Sequence, residues 1–332
     1  MNRTLQADRD YCRHVLPRVS RTFALNIRLL RGGFGEAVRT AYLLCRIADA
    51  LEDSWPGPPA EVAERFAALQ SATAGARDRG SALAARAAAR ADGREDVALV
   101  AALPRVLNVL DALPAPDRAA IVACLAVMTA GMSRYAARAA ARGWDAAYLD
   151  TTDELHDYCH VVAGCVGEML TRMFARRLRT DAPASAARRL ALAPVVGEAL
   201  QLTNVLLDWP QDVRRGRCHV PAAWLAEHDL APAELVHESA GVRDLAARLE
   251  QLARAALARV PDYLDTLPGG ALRYRLFCLW PARWARASLD HALRDPQFPW
   301  GPRRPKLPRA AVRREALAAL LDPSGRALRA AA

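Results

Sequence analysis

The chain of 332 residues has almost no lysine, few aromatics and no paired cysteines. Lys306 is the single lysine among 46 Lys and Arg residues, and aromatics make up 6%. The seven cysteines, at 12, 45, 124, 159, 165, 218 and 278, are odd in number and contain no CxxC pair. That excludes a disulfide framework or zinc ribbon and points to a reducing compartment. The opening MNRTLQADRDYC is polar and lacks the apolar core of a secretory signal. No uncharged run reaches the roughly 20 residues of a spanning helix. The longest nearly uncharged stretch is 119–133, and 190–207 is broken by Pro194, Glu198, Gln201 and Asn204. The expectation is a cytoplasmic protein without a transmembrane segment, with peripheral membrane contact left open.

Period-2 alternation of β-branched residues is also missing, whereas helical periodicity runs through almost every segment. Alanine, leucine and arginine dominate, and all three favour helix. Breaks at 32–33, 56–59, 114–116, 181–185, 210–221, 268–270 and 296–308 divide the chain into eight to ten helices. No linker is long enough to separate domains, so the expected architecture is a single all-α domain spanning 1–332. Residues 73–95, rich in Ala, Arg and Gly, are expected to form a variable surface region around one helix. The segment 296–332 is expected to hold a flexible flap and a C-terminal helix. The net charge of +10 comes almost wholly from arginine, as a GC-rich coding sequence would produce. No nucleic-acid motif accompanies it, so nucleic acid is not an expected partner. Guanidinium groups nevertheless suit phosphate esters.

Two helical segments carry polar residues where an apolar stripe would continue. In EAVRTAYLLCRIADALEDS, Tyr42, Arg46, Asp49 and Asp53 are spaced by 4, 3 and 4, with Glu52 beside them. In ALQLTNVLLDWPQD, Gln201, Asn204, Asp208 and Asp212 are spaced by 3, 4 and 4. Each set lies on one helical face. One such pair alone could be a solvated helix end. Two on strongly apolar helices call for a compensating cation, since carboxylates near a core are costly unless paired or metal-bound. Mg²⁺ fits, because it takes oxygen ligands, keeps waters and completes its shell with phosphate oxygens. A site with acidic rows and apolar walls suits a diphosphate with a hydrocarbon tail.

Five blocks now carry a resemblance. VSRTFALNIRLL (19–30), AYLLCRIADALEDS (41–54), YCHVVAGCVGEMLTRMF (158–174), LTNVLLDWPQDVRRGRCHVP (202–221) and FCLWPARWARASL (277–289) are similar, in this order, to the squalene/phytoene synthase family. The third and fifth look closer to squalene synthases. The resemblance implies a helical bundle around a central cavity, of the class I isoprenoid synthase type. It implies that Asp49, Glu52 and Asp53, with Asp208 and Asp212, hold Mg²⁺ against the diphosphates of two prenyl substrates. Ser20, Arg21 and Phe23 match a substrate-binding block, and Tyr42, Arg46, Gln201, Asn204 and Arg217 match further substrate positions. Tyr158 matches a tyrosine of the first half-reaction. The implied activity joins two farnesyl diphosphates head to head through presqualene diphosphate to squalene, with NADPH as reductant. Phe277 matches the second-half-reaction wall, and Lys306 and Arg309 fall in a basic stretch that could close over NADPH. A phytoene, dehydrosqualene or hydroxysqualene-type synthase would share the first step, and a catalytically silent helical assembly protein is the non-enzyme alternative. The oligomeric state is not legible.

Three departures from the family pattern bear on the second row. Leu207 stands where an arginine is usual, Gln211 replaces an acid, and Pro210 is expected to interrupt the helix between Asp208 and Asp212. Gly33-Phe34-Gly35 mimics part of a dinucleotide fingerprint without its strand and is expected to be a connecting loop. His156 and His160 are expected on a solvated or hydrogen-bonded face. Ala163, Gly164 and Gly167 thin their helix, either for close helix packing or to admit a prenyl chain.

Overall fold

The computed structural model describes residues 3–55, 57–90, 93–143, 146–178 and 183–331, and among these there is no strand. The all-α reading is correct. The breaks expected at 56 and at 181–182 lie outside the described residues. Contacts group the chain into two compact units, Met1–Ala137 and Arg138–Ala332, whose boundary falls inside a helix rather than at a linker.

The first unit comprises α1 (Arg3–Val19), α2 (Arg21–Ile27), α3 (Gly32–Asp53), α4 (Pro59–Thr73), α5 (Arg77–Arg90), α6 (Glu95–Ala101), α7 (Leu103–Asp111) and most of α8 (Ala115–Arg142). The second comprises α9 (Thr152–Cys159), a π-helical turn (His160–Gly164), α10 (Cys165–Ala175), α11 (Pro183–Ala191), α12 (Pro194–Asp212), α13 (Ala222–Glu227), α14 (Ala240–Ala258), α15 (Val260–Asp265), α16 (Leu272–Ala292) and α17 (Arg309–Leu321). Helices are more numerous than the eight to ten expected. Pro104 and Pro194 start new helices at their first or second positions, where the missing N–H costs nothing. They divide stretches whose apolar pattern reads as continuous.

In the first unit α3 is central, burying Val38, Ala41, Leu44, Ala48 and Leu51 against α1, α4, α6 and α7. Gly33, Phe34 and Gly35 are its first turn, not the expected loop. The chain enters through Gly32 at φ +59°, and a Cβ at Gly35 would collide with the Leu30 carbonyl oxygen. These glycines serve a tight turn into a helix. Within 73–95, α5 buries Gly80, Leu83, Ala84 and Ala87 and leaves most of its other residues exposed, so a single helix lies at the surface there. Residues 91 and 92 lie outside the described set.

In the second unit α12 is the hub, packed by α10, α14, α16 and the π turn. A Cβ on Gly167 would meet the Ala193 carbonyl oxygen, and one on Gly197 the Ala163 carbonyl oxygen. Of the two readings of the thin helix, close backbone packing is the one realised at Gly167. Gly164 instead borders His160 and Glu198, and His160 Nδ1 lies 3.1 Å from Glu198 Oε1, the hydrogen-bonded face expected. Pro210 does not interrupt α12, which continues to Asp212. Proline removes one backbone donor, and the flanking Trp209 fixes the turn by donating its indole N–H to the Leu235 carbonyl at 3.0 Å.

By length and mean hydropathy of 1.5, two stretches, Ala115–Arg142 and Pro183–Arg215, could cross a bilayer, and 44% of each tested window is buried inside the protein. The second stretch carries the second acidic row.

Candidate active site

The first acidic row stands on the less buried stripe of α3, where Tyr42, Cys45, Arg46, Asp49, Glu52 and Asp53 retain solvent access while Leu43, Leu44, Ile47 and Ala48 are buried. The spacing thus placed these side chains correctly. Arg46 lies 3.7 Å from Asp49, but its fork goes mainly to Asp96 on α6, at 3.1 and 2.6 Å. Asp96 also accepts from the Ser54 hydroxyl at 3.3 Å. One guanidinium is therefore shared between two carboxylates. Asp49 keeps 34% of its side-chain surface, yet lost hydration, with Asp53 and then Asp96 adding repulsion and Arg46 opposing it, raises its carboxyl to about 7.

Around it, Ser20 caps α2 by accepting from the Phe23 N–H at 3.3 Å. Phe23 packs on Tyr42 with ring centroids 5.1 Å apart. Burial raises the Tyr42 phenol to about 12, with a hydrogen bond from Ser20 working against the rise. Arg21, at the first turn of α2, is exposed. Arg65 of α4, fully buried, closes the C-terminal end of α3. Its Nη1 donates to the Leu51 carbonyl at 2.9 Å and to the Trp55 carbonyl, and its guanidinium lies 4.7 Å from the Trp55 ring. A cation at a helix C-terminus is favourable, and here it fixes the turn that bears Asp53. Asp96 and Arg65 were not marked from the sequence, since each is distant along the chain from the acidic row it serves.

In the second unit Gln201, Asn204, Asp208 and Asp212 likewise occupy the half-exposed stripe of α12, opposite Leu202, Val205, Leu206 and Trp209. Leu207 is buried, so it gives no charge to this face. Arg304, from the segment after α16, supplies one. Its Nη1 lies 2.7 Å from Asp208 Oδ1, and its Nη2 donates to Asn204 Oδ1 at 3.4 Å. Arg214 ties that segment down, donating to the Trp300 carbonyl at 2.6 Å, the Gly301 carbonyl at 2.8 Å and the Pro210 carbonyl at 2.7 Å. Arg217 sits in the turn after the row, its backbone N–H donating to the Asp212 carbonyl at 2.8 Å.

Tyr158 is brought to the same place by His219, whose Nε2 lies 3.0 Å from the phenolic oxygen. Its Nδ1 lies 3.6 Å from Asp212 Oδ2. Burial, and then the charge of Arg217, depress His219 to about 3, so the ring is neutral. A proton on Nδ1 faces Asp212 and leaves Nε2 to accept from the Tyr158 hydroxyl. Tyr148 packs edge-on to both rings, at 5.4 Å from His219 and 6.3 Å from Tyr158. His219 was missed in the sequence, although it lies in the quoted block that follows the second row. Phe277 is buried and edge-on to Phe174 at 6.1 Å, while Lys306 and Arg309 are exposed.

Among the described residues no three His, Cys, Asp or Glu side chains form a closed metal cage. The donors of both rows are carboxylate oxygens with solvent access, and Asp49 shares Arg46 with Asp96. That suits a cation taking one or two protein carboxylates with the remainder of its shell from water and phosphate, as Mg²⁺ does.

Residues 16–311 match the squalene/phytoene synthase family model, and the chain belongs to that family. It is 30% identical over 300 residues to a 15-cis-phytoene synthase of Synechococcus elongatus, covering 86% of this chain and 82% of that one. To a squalene synthase of Ganoderma lucidum it is 29% identical over 213 residues, 63% of this chain and 43% of the relative. The match to Zea mays phytoene synthase 2 takes in 138 residues at 30% identity, 42% of this chain and about a third (32%) of that protein's length. A ligand complex of TcSQS superposes with a TM-score of 0.80 at 22% identity, over 97% of this chain and 89% of that one. That likeness carries the fold.

Proposed function

We propose that the protein joins two farnesyl diphosphates head to head through presqualene diphosphate to squalene, with Mg²⁺ and with NADPH as reductant. The observation that carries the shared first step is the row of Asp49, Glu52 and Asp53, which keeps solvent access on a helix whose other faces are buried in apolar contacts. Asp49, Glu52 and Asp53 in the first row would hold Mg²⁺, and so would Asp208 and Asp212 in the second. Bound there, the ion would offset the charge developing on a departing diphosphate and so make allylic ionisation feasible. Arg46, held by Asp96, and Arg21 add cations for the first diphosphate. Arg304 and Arg217 do the same at the second row, beside Gln201 and Asn204. Tyr158, with its hydroxyl donated to neutral His219, presents phenolic lone pairs toward substrate and stabilises or deprotonates the cation of the first half-reaction.

The NADPH step rests on the squalene-synthase-like third and fifth blocks and on the basic stretch holding Lys306 and Arg309. The Synechococcus relative favours a second reading, in which geranylgeranyl diphosphate is condensed to phytoene without a reductant. Product analysis after incubation with each prenyl diphosphate, with and without NADPH, separates the two. Squalene formed only with farnesyl diphosphate and NADPH supports the first, and phytoene from the C20 substrate the second. A C30 hydrocarbon is insoluble in water, so the reading includes peripheral membrane contact.

A further inference from the structure

Within the first unit a cavity of about 550 Å³ opens between α1, α6 and the start of α7, and none of the site residues described above lines it. Its volume is that of a small-molecule site. From α1 come Tyr11, His14, Val15 and Arg18, at spacings of 3, 1 and 3 and so on one helical face. From α6, α7 and the joint between them come Ala98, Ala101, Ala102 and Pro104, a wall without a hydrogen-bonding side chain. Glu95 and Arg105 complete the lining.

Arg105 is fixed in place by its neighbours. Its Nε donates to Asp8 Oδ1 at 2.8 Å and its Nη2 to the Ala7 carbonyl at 2.9 Å. Asp8 is only 4% exposed and also accepts from the Asn108 amide at 2.9 Å. The guanidinium lies 4.3 Å from the centre of the Tyr11 ring, and its Nη1 has no partner among the described residues. Arg18 and Glu95 are both exposed, and neither makes a hydrogen bond or ion pair among the described residues. Burial raises the Tyr11 phenol, and the charges of Arg105, Glu95 and Arg18 all reach it. His14 Nδ1 lies 2.7 Å from the Asp10 carbonyl, so a proton held there leaves Nε2 open. Two guanidinium groups converging on a phenol recognise an anionic head, and the alanine wall accepts an apolar body. Glu95 chooses among anions. It accepts from an O–H, which a phosphate monoester keeps at about pH 6 and an ionised carboxylate lacks.

We infer that this cavity binds an amphipathic phosphate monoester. Arg18, Arg105 Nη1 and the Tyr11 hydroxyl hold its head, Glu95 accepts the remaining phosphate proton, and the apolar body lies against Ala98, Ala101 and Pro104. The cavity carries this independently of the reaction proposed above, and its test needs no turnover. Isothermal titration calorimetry of the full-length, metal-free protein at about pH 6 uses octyl phosphate, inorganic phosphate, octanoate and octyltrimethylammonium as probes. Octyl phosphate should bind with a Kd below about 1 mM, at least about tenfold tighter than inorganic phosphate, which lacks the apolar body, or octanoate. Octyltrimethylammonium should not bind. Arg18→Glu, at an exposed position without a partner, should weaken octyl phosphate binding about tenfold or more. Ala98→Trp, which fills the cavity from an exposed position, should do the same. Both variants should keep the circular dichroism of wild type. Wild type that gives no binding, either variant binding as well as wild type, or any other probe binding as tightly as octyl phosphate overturns the inference. So does binding that Arg21→Glu abolishes and both cavity variants keep, since octyl phosphate would then occupy the proposed prenyl diphosphate site.

Discussion

Arg304 Nη1 lies 2.7 Å from Asp208 Oδ1, so the second acidic row receives from the C-terminal segment the cation that Leu207 fails to provide. The substitution within the motif and the contact across the chain are two halves of one arrangement. Charge-assisted hydrogen bonds of this kind contribute about 1.5–3 kcal/mol. Arg304→Met should therefore raise the KM for prenyl diphosphate about tenfold or more with a smaller change in kcat, and Arg304→Lys should recover part of the loss. Steady-state kinetics at saturating Mg²⁺ reads this, and an unchanged KM would remove Arg304 from the site.

Asp49 sits where burial, Asp53 and Asp96 all oppose its charge. Asp49→Asn should relieve that repulsion and keep the helix. Its far-ultraviolet circular dichroism should match wild type, with melting unchanged or slightly raised, while Mg²⁺-dependent turnover falls by about 100-fold or more, the loss of several kcal/mol of charge stabilisation. Near-normal turnover would detach the first row from catalysis.

How far the sequence went is visible in these two rows. Spacing placed Tyr42, Arg46, Asp49 and Asp53 on one stripe of α3, and Gln201, Asn204, Asp208 and Asp212 on one stripe of α12, because helical periodicity is a local property. Arg304, Asp96, His219 and Arg65 escaped notice because their roles depend on which distant segment packs against each row. Gly33 to Gly35 were misplaced in a loop for a related reason. Glycine marks a backbone need, and only the neighbouring Leu30 carbonyl shows that the need is a close approach at a helix start. Pro210 was expected to break α12, but tertiary packing on both sides of it overrode the local penalty.

The crossing of α10 with the start of α12 leaves no room for a side chain at Gly167. Gly167→Val should cost about 1–3 kcal/mol through overpacking and lower Tm by about 5 °C. Gly269→Ala, at a position with open space around it, should change Tm by about 1 °C or less. Differential scanning fluorimetry compares the two, and equal melting of both variants would contradict the close crossing.

His219 is held near 3 in the folded protein by burial and Arg217, against about 6.5 when unfolded. Between those values the unfolded chain binds the extra proton, so acidification favours unfolding. The stability contributed by keeping His219 neutral is complete above about pH 6.5 and declines below it, by about 2 kcal/mol at pH 5. Urea midpoints of metal-free protein at pH 5, 6 and 8 should show this slope, and His219→Phe should flatten it. An identical slope in the variant would mean that other groups cause the acid sensitivity.

The most direct test is a single-turnover incubation of the purified protein with farnesyl diphosphate and Mg²⁺, omitting NADPH, followed by extraction of the diphosphate fraction. Presqualene diphosphate should accumulate, and adding EDTA should stop its formation. Recovery of unreacted farnesyl diphosphate in the presence of Mg²⁺, with geranylgeranyl diphosphate equally inert, would contradict a prenyl-coupling site built on these carboxylates.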